Sequence, residues 1–320
     1  MLKSDQVWNA DPPIEFGYLH SINQSVIRLQ SKFPYFLNTV DQSNLIIASD
    51  YSGQHKESEY EAFSFFITTS NNLCSWMPSL IEFREKFLPD GRNLSFKKIR
   101  EPVRWSAFPH FLDIAGKLNA NLITVLIHKQ VGTFVDGGPS AIKEILPECF
   151  PNAAKLGTVE KMIRLANFIS LFLSALRKKE QRAFWISDED EAFDTFEKRE
   201  GFCKLATYMH YGITGEIDES GIFLGTTEMK NAPAWSEDLA AIADIAAGSY
   251  CKLSNVLPTN YGIKNWTVRI KPQKDIDERA LVFGDWISKD DLILKSLLIR
   301  VELDCDRQIR TSAQVFTRNR

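Results

Sequence analysis

A mixed α/β sheet with helices on both faces is the fold class that this sequence predicts for residues 44–252. Three observations carry that prediction. Short, nearly continuous apolar runs at Leu45–Ser49, Leu122–Ile127 and Ala183–Ser187 read as strands covered on both sides. Helical segments lie between the later runs, and that alternation implies parallel pairing through crossovers. A polar loop with Gly53 joins the first run to Ala62–Thr69, which is rich in aromatic and β-branched residues. Two such runs across a short polar loop predict a leading antiparallel hairpin.

Taken in order, residues 1–43 form an N-terminal extension with a helix over Ile22–Phe33 and a Pro12-Pro13 turn. After the hairpin, Ala107–Leu118 reads as a helix. A glycine-rich connection (Gly132, Gly137, Gly138, Pro139) follows the 122–127 strand. The segment Val159–Lys179 is apolar nearly all round, the pattern of a buried helix. Asp238–Gly248 is a second helix of that kind. Beyond residue 252 the texture becomes strand-like at Trp266–Ile270 and Leu297–Leu303, with a helix expected near Lys289–Ser296. Residues 253–320 are therefore read as a C-terminal accessory extension.

Composition limits the function classes. With 320 residues, 44% apolar and 25% charged, the chain can bury a substantial core and has no low-complexity tract. A net charge of −3 excludes wholesale coating of nucleic acid, though not a local basic patch. The five cysteines (74, 149, 203, 251, 305) include no Cys-x-x-Cys pair, which argues for reduced thiols in a cytoplasm and against a zinc site. The start MLKSDQVWNADPP lacks the pattern of a signal peptide. The longest apolar stretch, Leu165–Leu176, is too short to span a bilayer and is interrupted by Asn167 and Ser170. A soluble cytoplasmic protein without a membrane partner is expected.

Three carboxylates stand out. Asp50 and Asp188 each follow an apolar strand directly, and in α/β sheets functional groups gather outside the carboxyl ends of strands. Asp244 is the single charge inside Leu239–Gly248, where an ionised group is costly unless paired or metal-bound. Ala240, Ala247 and Gly248 share its face and would let the helix approach the sheet. Each acid also has a plainer reading. Asp50 could open the turn before Gly53, Asp188 could begin a solvated acidic run with Glu189, Asp190 and Glu191, and Asp244 could pair with a buried cation.

The order of these motifs resembles a large bacterial and phage ribonuclease H-like family, catalogued as a domain of unknown function. Its members open with a strand running into Asp-Glu-Ser-Gly, matched here by Ile47-Ala48-Ser49-Asp50-Tyr51-Ser52-Gly53. An aromatic strand follows (Ala62–Thr69), then a strand ending in an acid (Phe184-Trp185-Ile186-Ser187-Asp188). Near the end comes a Leu-Gln-Leu-Ala-Asp-Leu-Ile-Ala-Gly helix, here Leu239–Gly248 around Asp244. Phe96-Lys97-Lys98-Ile99 matches the family's polar stretch before its first helix. The likeness covers about two-thirds of the chain. One departure is the family's Glu after the first Asp, which is Tyr51 here. Asp190, Glu191 or Glu61 would have to compensate, and without compensation the site would be degenerate.

The resemblance implies a metal-dependent nuclease or related phosphoryl hydrolase with nucleic acid, DNA or RNA, as its partner. Asp50, Asp188 and Asp244 would be catalytic and would hold one or two Mg²⁺ or Mn²⁺ ions, with Asp190 as a further metal ligand. No histidine is clearly placed as a general base; His55, in the loop after Asp50, and His128, at a strand end, come nearest in pattern. Lys97, Lys98, Arg100 and Arg104 are the candidate nucleic-acid contacts. Arg177, Lys178 and Lys179 read as helix C-terminal charges, and Arg307, Arg310, Arg318 and Arg320 as a basic tail or a frayed end. The other reading is a non-catalytic ribonuclease H-like binding or assembly module, in a defence or mobile-element system. A protein partner or homo-oligomer stays open.

Overall fold

The computed structural model describes residues 7–188, 190–217, 221–230, 232–254, 267–268 and 276–316. Its centre is the predicted mixed sheet. Strands β1 (Leu45–Ser52) and β2 (Tyr60–Thr69) form the leading hairpin, antiparallel with Asp50 opposite Ser64. On one side, β4 (Ala183–Ser187) pairs parallel to β1, and β5 (Ile222–Thr226) pairs parallel to β4. On the other, β3 (Asn121–His128) is antiparallel to β2. The spatial order is β5-β4-β1-β2-β3, which continues into β7 (Lys295–Leu303), β8 (Ile309–Phe316) and the two-residue β6 (Thr267–Val268).

Period-two alternation sorts the strand side chains between two cores. Ile47, Phe65, Val125, Trp185 and Ile299 face α5 (Leu156–Leu176), the long apolar helix, with α6 (Phe196–Thr214) beside it. Ile46, Ala48, Phe66, Leu122 and Leu298 face the opposite layer. That layer contains α2 (Ser70–Phe87), α3 (Pro102–Ala115), α7 (Ala234–Leu253) and α8 (Glu278–Ile287). Helices thus cover both faces, as the sequence predicts.

The two flanking segments are built into this sheet. Helix α1 (Tyr18–Lys32) packs on β8, where Ser25 Oγ lies 2.8 Å from Thr311 Oγ1. Strand β7 runs parallel to β3, so residues assigned to the C-terminal extension continue the central sheet. The helix expected near Lys289–Ser296 is instead α8, several residues earlier. The Lys289-Asp290-Asp291 stretch forms the polar turn before β7, whose alternating Leu297, Ile299 and Val301 are buried. Of the expected 266–270 strand, Thr267–Val268 are extended and the rest lies outside the described residues.

Helix α7 is the element that places the site. Nearly all of its residues from Ser236 to Tyr250 are buried, and it crosses β1 and β2. Near its start, buried Asp238 accepts two hydrogen bonds from Arg84 of α2, at 2.5 and 3.1 Å. Four turns of small and apolar side chains then lie flat on the sheet, among them Ala243, Ala246 and Ala247. Near its C-terminal end, Gly53 closes the approach, for a Cβ there would lie 2.9 Å from Cys251 Sγ.

A candidate metal centre of paired carboxylates

Asp50 lies inside β1 rather than in the turn after it, because the strand continues to Ser52. Alternation directs its side chain to the α7 face, where Asp244 meets it. The two carboxyls lie within hydrogen-bonding reach of each other. Asp188 sits one residue beyond β4. Since Ser49 pairs with Ser187, it is the lateral neighbour of Asp50 on the same sheet face, and its amide donates to the Ser49 carbonyl at 3.3 Å. Its charge acts on both of the other acids. The structure therefore brings Asp50, Asp188 and Asp244 to one corner, from two strand ends and one helix.

The electrostatics follow from crowding. Burial drives the Asp50 carboxyl well above the usual carboxylate range, and the charges of Asp244 and Asp188 push it the same way. Burial also raises Asp244, to about 6, against the opposing effect of the Phe96 amide, which donates to its Oδ2 at 2.6 Å. Both side chains keep a partly exposed edge, so the corner remains open to solvent. Asp188 is exposed and accepts a hydrogen bond from Thr227 Oγ1 at 3.0 Å. Among the described residues, no three His, Cys, Asp or Glu side chains are placed closely enough to enclose a metal ion. What the corner provides is a hydrogen-bonded carboxyl pair with a third acid alongside.

These shifts have a consequence for stability. Both pKa values are higher in the folded chain, so the stabilisation is complete below the unfolded carboxyl value of ~4. It is lost as pH rises through the folded values, about 6 for Asp244. The metal-free protein is expected to melt at a lower temperature at pH ~7.5 than at pH ~5.5. Acids held low by cations, such as Asp277, titrate below that window. Melting curves of wild type and a D50N/D244N double variant test this. A slope that survives in the double variant would refute the assignment.

Asp190 is placed differently from the acid corner. It is ion-paired with Lys161 of α5, and its Oδ1 accepts the Ala192 amide at 2.9 Å. Tyr51 faces the same way, with its hydroxyl 2.8 Å from Ser49 Oγ and 3.0 Å from Ser187 Oγ. Lys161 lies over its ring at 4.4 Å. Position 51 therefore looks onto the sheet face opposite Asp50, and a Glu there would not join Asp244 without a change in the strand. Glu61 and Glu191 are also occupied: Glu61 pairs with Arg164 at 2.6 Å and Glu191 with Lys155 at 2.8 Å.

The basic candidates separate as well. Lys97 and Lys98 are exposed on the turn whose Phe96 amide holds Asp244. Arg100 reaches Asp277 at 3.0 Å. Arg104 is buried, bonded to the Asn93 carbonyl at 2.6 Å and paired with Glu101. Its role is to hold the loop. His128 packs edge-on against Tyr60 at 4.9 Å, and the His55 carbonyl accepts a bond from Lys129 Nζ at 2.6 Å. Arg310 pairs with Asp304 at 2.6 Å and Arg307 lies in the β7–β8 turn. Arg318 and Arg320 lie outside the described residues.

Sequence reasoning missed Arg279. It is buried at the start of α8, bonds the Phe96 carbonyl at 2.5 Å and lies 4.1 Å over the Phe96 ring. Asp277 holds it through two further bonds at 2.6 and 2.8 Å. Arg279 thereby fixes the backbone whose amide supports Asp244. Asp277 is close to it in the sequence, but nothing local shows that it reaches Phe96, which lies far away along the chain. A cavity of about 350 Å³ between Phe33, Phe36, Leu294 and Phe316 involves none of these residues.

No family model matches the chain, and no curated protein matches it. Among solved structures, the chain is similar to the crystal structure of ribonuclease H2 from Pyrococcus horikoshii OT3. The identity is 13%, over 76% of this chain and 85% of that one, with a TM-score of 0.33. The strand order and the convergence of the three acids stand independently of that likeness. No helix among the described residues is long and apolar enough to cross a membrane.

Proposed function

We propose that the chain is a divalent-metal-dependent phosphoryl hydrolase acting on nucleic acid. The observation that supports this most directly is the contact between Asp50 of β1 and Asp244 of α7. Two carboxyls sharing a site cannot both ionise cheaply, so one is held well above its usual pKa, and a divalent cation relieves that repulsion. Their hard oxygen donors suit Mg²⁺ or Mn²⁺, which can be held by one or two carboxylates plus substrate phosphate. Asp50 and Asp244 would be the holding pair. Asp188 would complete the set after a small movement, since Thr227 fixes only one of its oxygens. When bound, the cation supplies charge neutralisation at a transferring phosphoryl group.

The chain's own residues do the rest. The Phe96 amide orients Asp244 by donating to Oδ2. The raised pKa of Asp50 favours its protonated form, and a cation must displace that proton, so metal affinity should increase with pH. Lys97 and Lys98, on the turn that supports Asp244, are positioned to contact a phosphate backbone.

The test is cleavage of single- and double-stranded DNA and RNA in Mg²⁺ and Mn²⁺, with wild type beside D244A. The expected result is metal-dependent cleavage that D244A reduces by ~100-fold or more without unfolding, the scale of losing a main charge-stabilising group. Equal cleavage by the variant would reject the mechanism. The wider spacing of Asp188 favours a second reading, a ribonuclease H-like module that binds nucleic acid without cutting it. No cleavage, together with intact binding, would select that reading.

A further inference from the structure

Helix α7 covers β1 and β2 but leaves the same face of β4 and β5 open at the sheet's edge. The contrast along β4 is sharp. Ala183 and Trp185 face α5 and α6 and are 0% and 1% exposed, whereas Phe184 is 36% exposed and its cross-strand partner Phe223 is 49% exposed. The two rings stack on one another, with centroids 5.2 Å apart and planes 19° from parallel. Two phenylalanines on an open sheet face are costly in water unless something covers them.

Their position suggests what covers them. Along β4, side chains of equal parity share a face, so Phe184, Ile186 and Asp188 form one row. This row ends at the acid corner, where Thr227 joins Asp188 to the end of β5. Phe184 precedes Asp188 by four residues, ~13 Å along a strand. At the far end, the turn before β4 is cationic. Lys178, Lys179 and Arg182 lie in it with Glu180 as the only acid, and Lys179 and Arg182 are exposed. Acid corner, aromatic pair and basic turn thus follow one another along a single edge of the sheet.

We infer that this edge is a track for single-stranded nucleic acid, with a base stacked on the Phe184–Phe223 pair and the neighbouring phosphates met by Lys179 and Arg182. The inference rests on the proposed function for its direction, since the track leads to Asp188. Stacking needs an unpaired base with a free face, which a duplex does not offer away from its ends. Aromatic rings combined with a cationic groove are the general means of gripping a single strand without reading its sequence. A hydrophobic protein partner would have no use for the basic turn.

The experiment measures oligonucleotide binding in EDTA, so that it does not depend on metal or cleavage. Wild type, an F184A/F223A variant and a K179S/R182S variant are titrated with a labelled single-stranded oligonucleotide, the matching duplex and an abasic single strand. F184A/F223A is expected to bind the single strand ~10-fold or more weakly, as for loss of a stacked base, with duplex binding unchanged. The abasic strand should bind wild type and F184A/F223A alike. K179S/R182S should weaken all three ligands and flatten the salt dependence. Single-strand affinity unaltered in F184A/F223A would overturn the inference, as would an equal loss for the abasic strand. A wild-type dimer that dissociates in F184A/F223A would overturn it too, since a second copy of the chain would then be what covers the rings. Failure of the metal chemistry would appear separately, as absent cleavage with this binding pattern intact.

Discussion

Replacing Asp50 by Asn is expected to raise the melting temperature of the metal-free protein and to abolish its stabilisation by Mn²⁺. The first effect follows from the geometry of the pair. Asp50 and Asp244 lie within hydrogen-bonding reach, and an Asn amide can donate to the Asp244 carboxylate. The hydrogen bond is kept while a buried acid, pressed by Asp244 and Asp188, is removed. The gain should be ~1–2 kcal/mol, a few degrees in a chain of this size. The second effect is opposite in sign. At a Mn²⁺ concentration ~100 times its dissociation constant, wild type should gain about 2.7 kcal/mol and D50N almost nothing. Thermal melts with and without Mn²⁺ read both effects. A D50N protein that melts well below wild type without metal would give Asp50 a structural role instead.

The acid corner was legible because its members break local rules. Asp244 is a lone charge in an apolar helix, and Asp50 closes a run of buried strand residues. Both facts are visible in a short window of sequence. Asp190 shows the limit of that reasoning. It stands two residues from Asp188 in the same acidic run, yet it turns to Lys161 on the other side of the sheet. Arg104 looked like a free cation beside Lys97 and Lys98, but burial and the Asn93 carbonyl fix it in place. Which charge is spent internally depends on partners that sequence spacing does not show.

The fold was legible to a similar depth. Strands buried on both faces were read to within a few residues, because an apolar run that short, bounded by turn residues, is too brief for a buried helix. Helix α2 was not read from the sequence; it opens on the polar Ser70-Asn71-Asn72 and carries Pro78 in its interior, both unfavourable to a helix signal. In the structure, Thr69 caps it, accepting from the Asn72 amide at 3.4 Å. Strand β5 was hidden because only one face of it is covered, leaving Phe223 and Gly225 outside the alternating apolar core. The pairing of β7 with β3 joins a strand in the middle of the domain to one far beyond it in sequence, and no local signal specifies such a contact.

Gly248 is where sequence, packing and the site meet, and Gly248→Ala should test all of them. In an exposed helix this change would stabilise by ~1 kcal/mol, because alanine is the better helix former. Here a Cβ would overlap Cγ and Cδ1 of the Phe96 ring and lie 3.0 Å from its Cβ. The ring cannot withdraw freely, since the Arg279 guanidinium lies 4.1 Å over it and bonds the Phe96 carbonyl at 2.5 Å. Overpacking of this kind typically costs ~1–3 kcal/mol, enough to outweigh the helix gain. Movement of Phe96 would also carry away the amide that donates to Asp244. Gly248→Ala is therefore expected to lower the melting temperature and to weaken Mn²⁺ binding together, although residue 248 has no side chain to offer a ligand. Chemical denaturation and Mn²⁺ titration of the same variant separate the outcomes. Lost stability with unchanged Mn²⁺ affinity would show that the Phe96 amide does not support the metal centre. A variant as stable as wild type would show that α7 does not depend on glycine for its approach to the sheet.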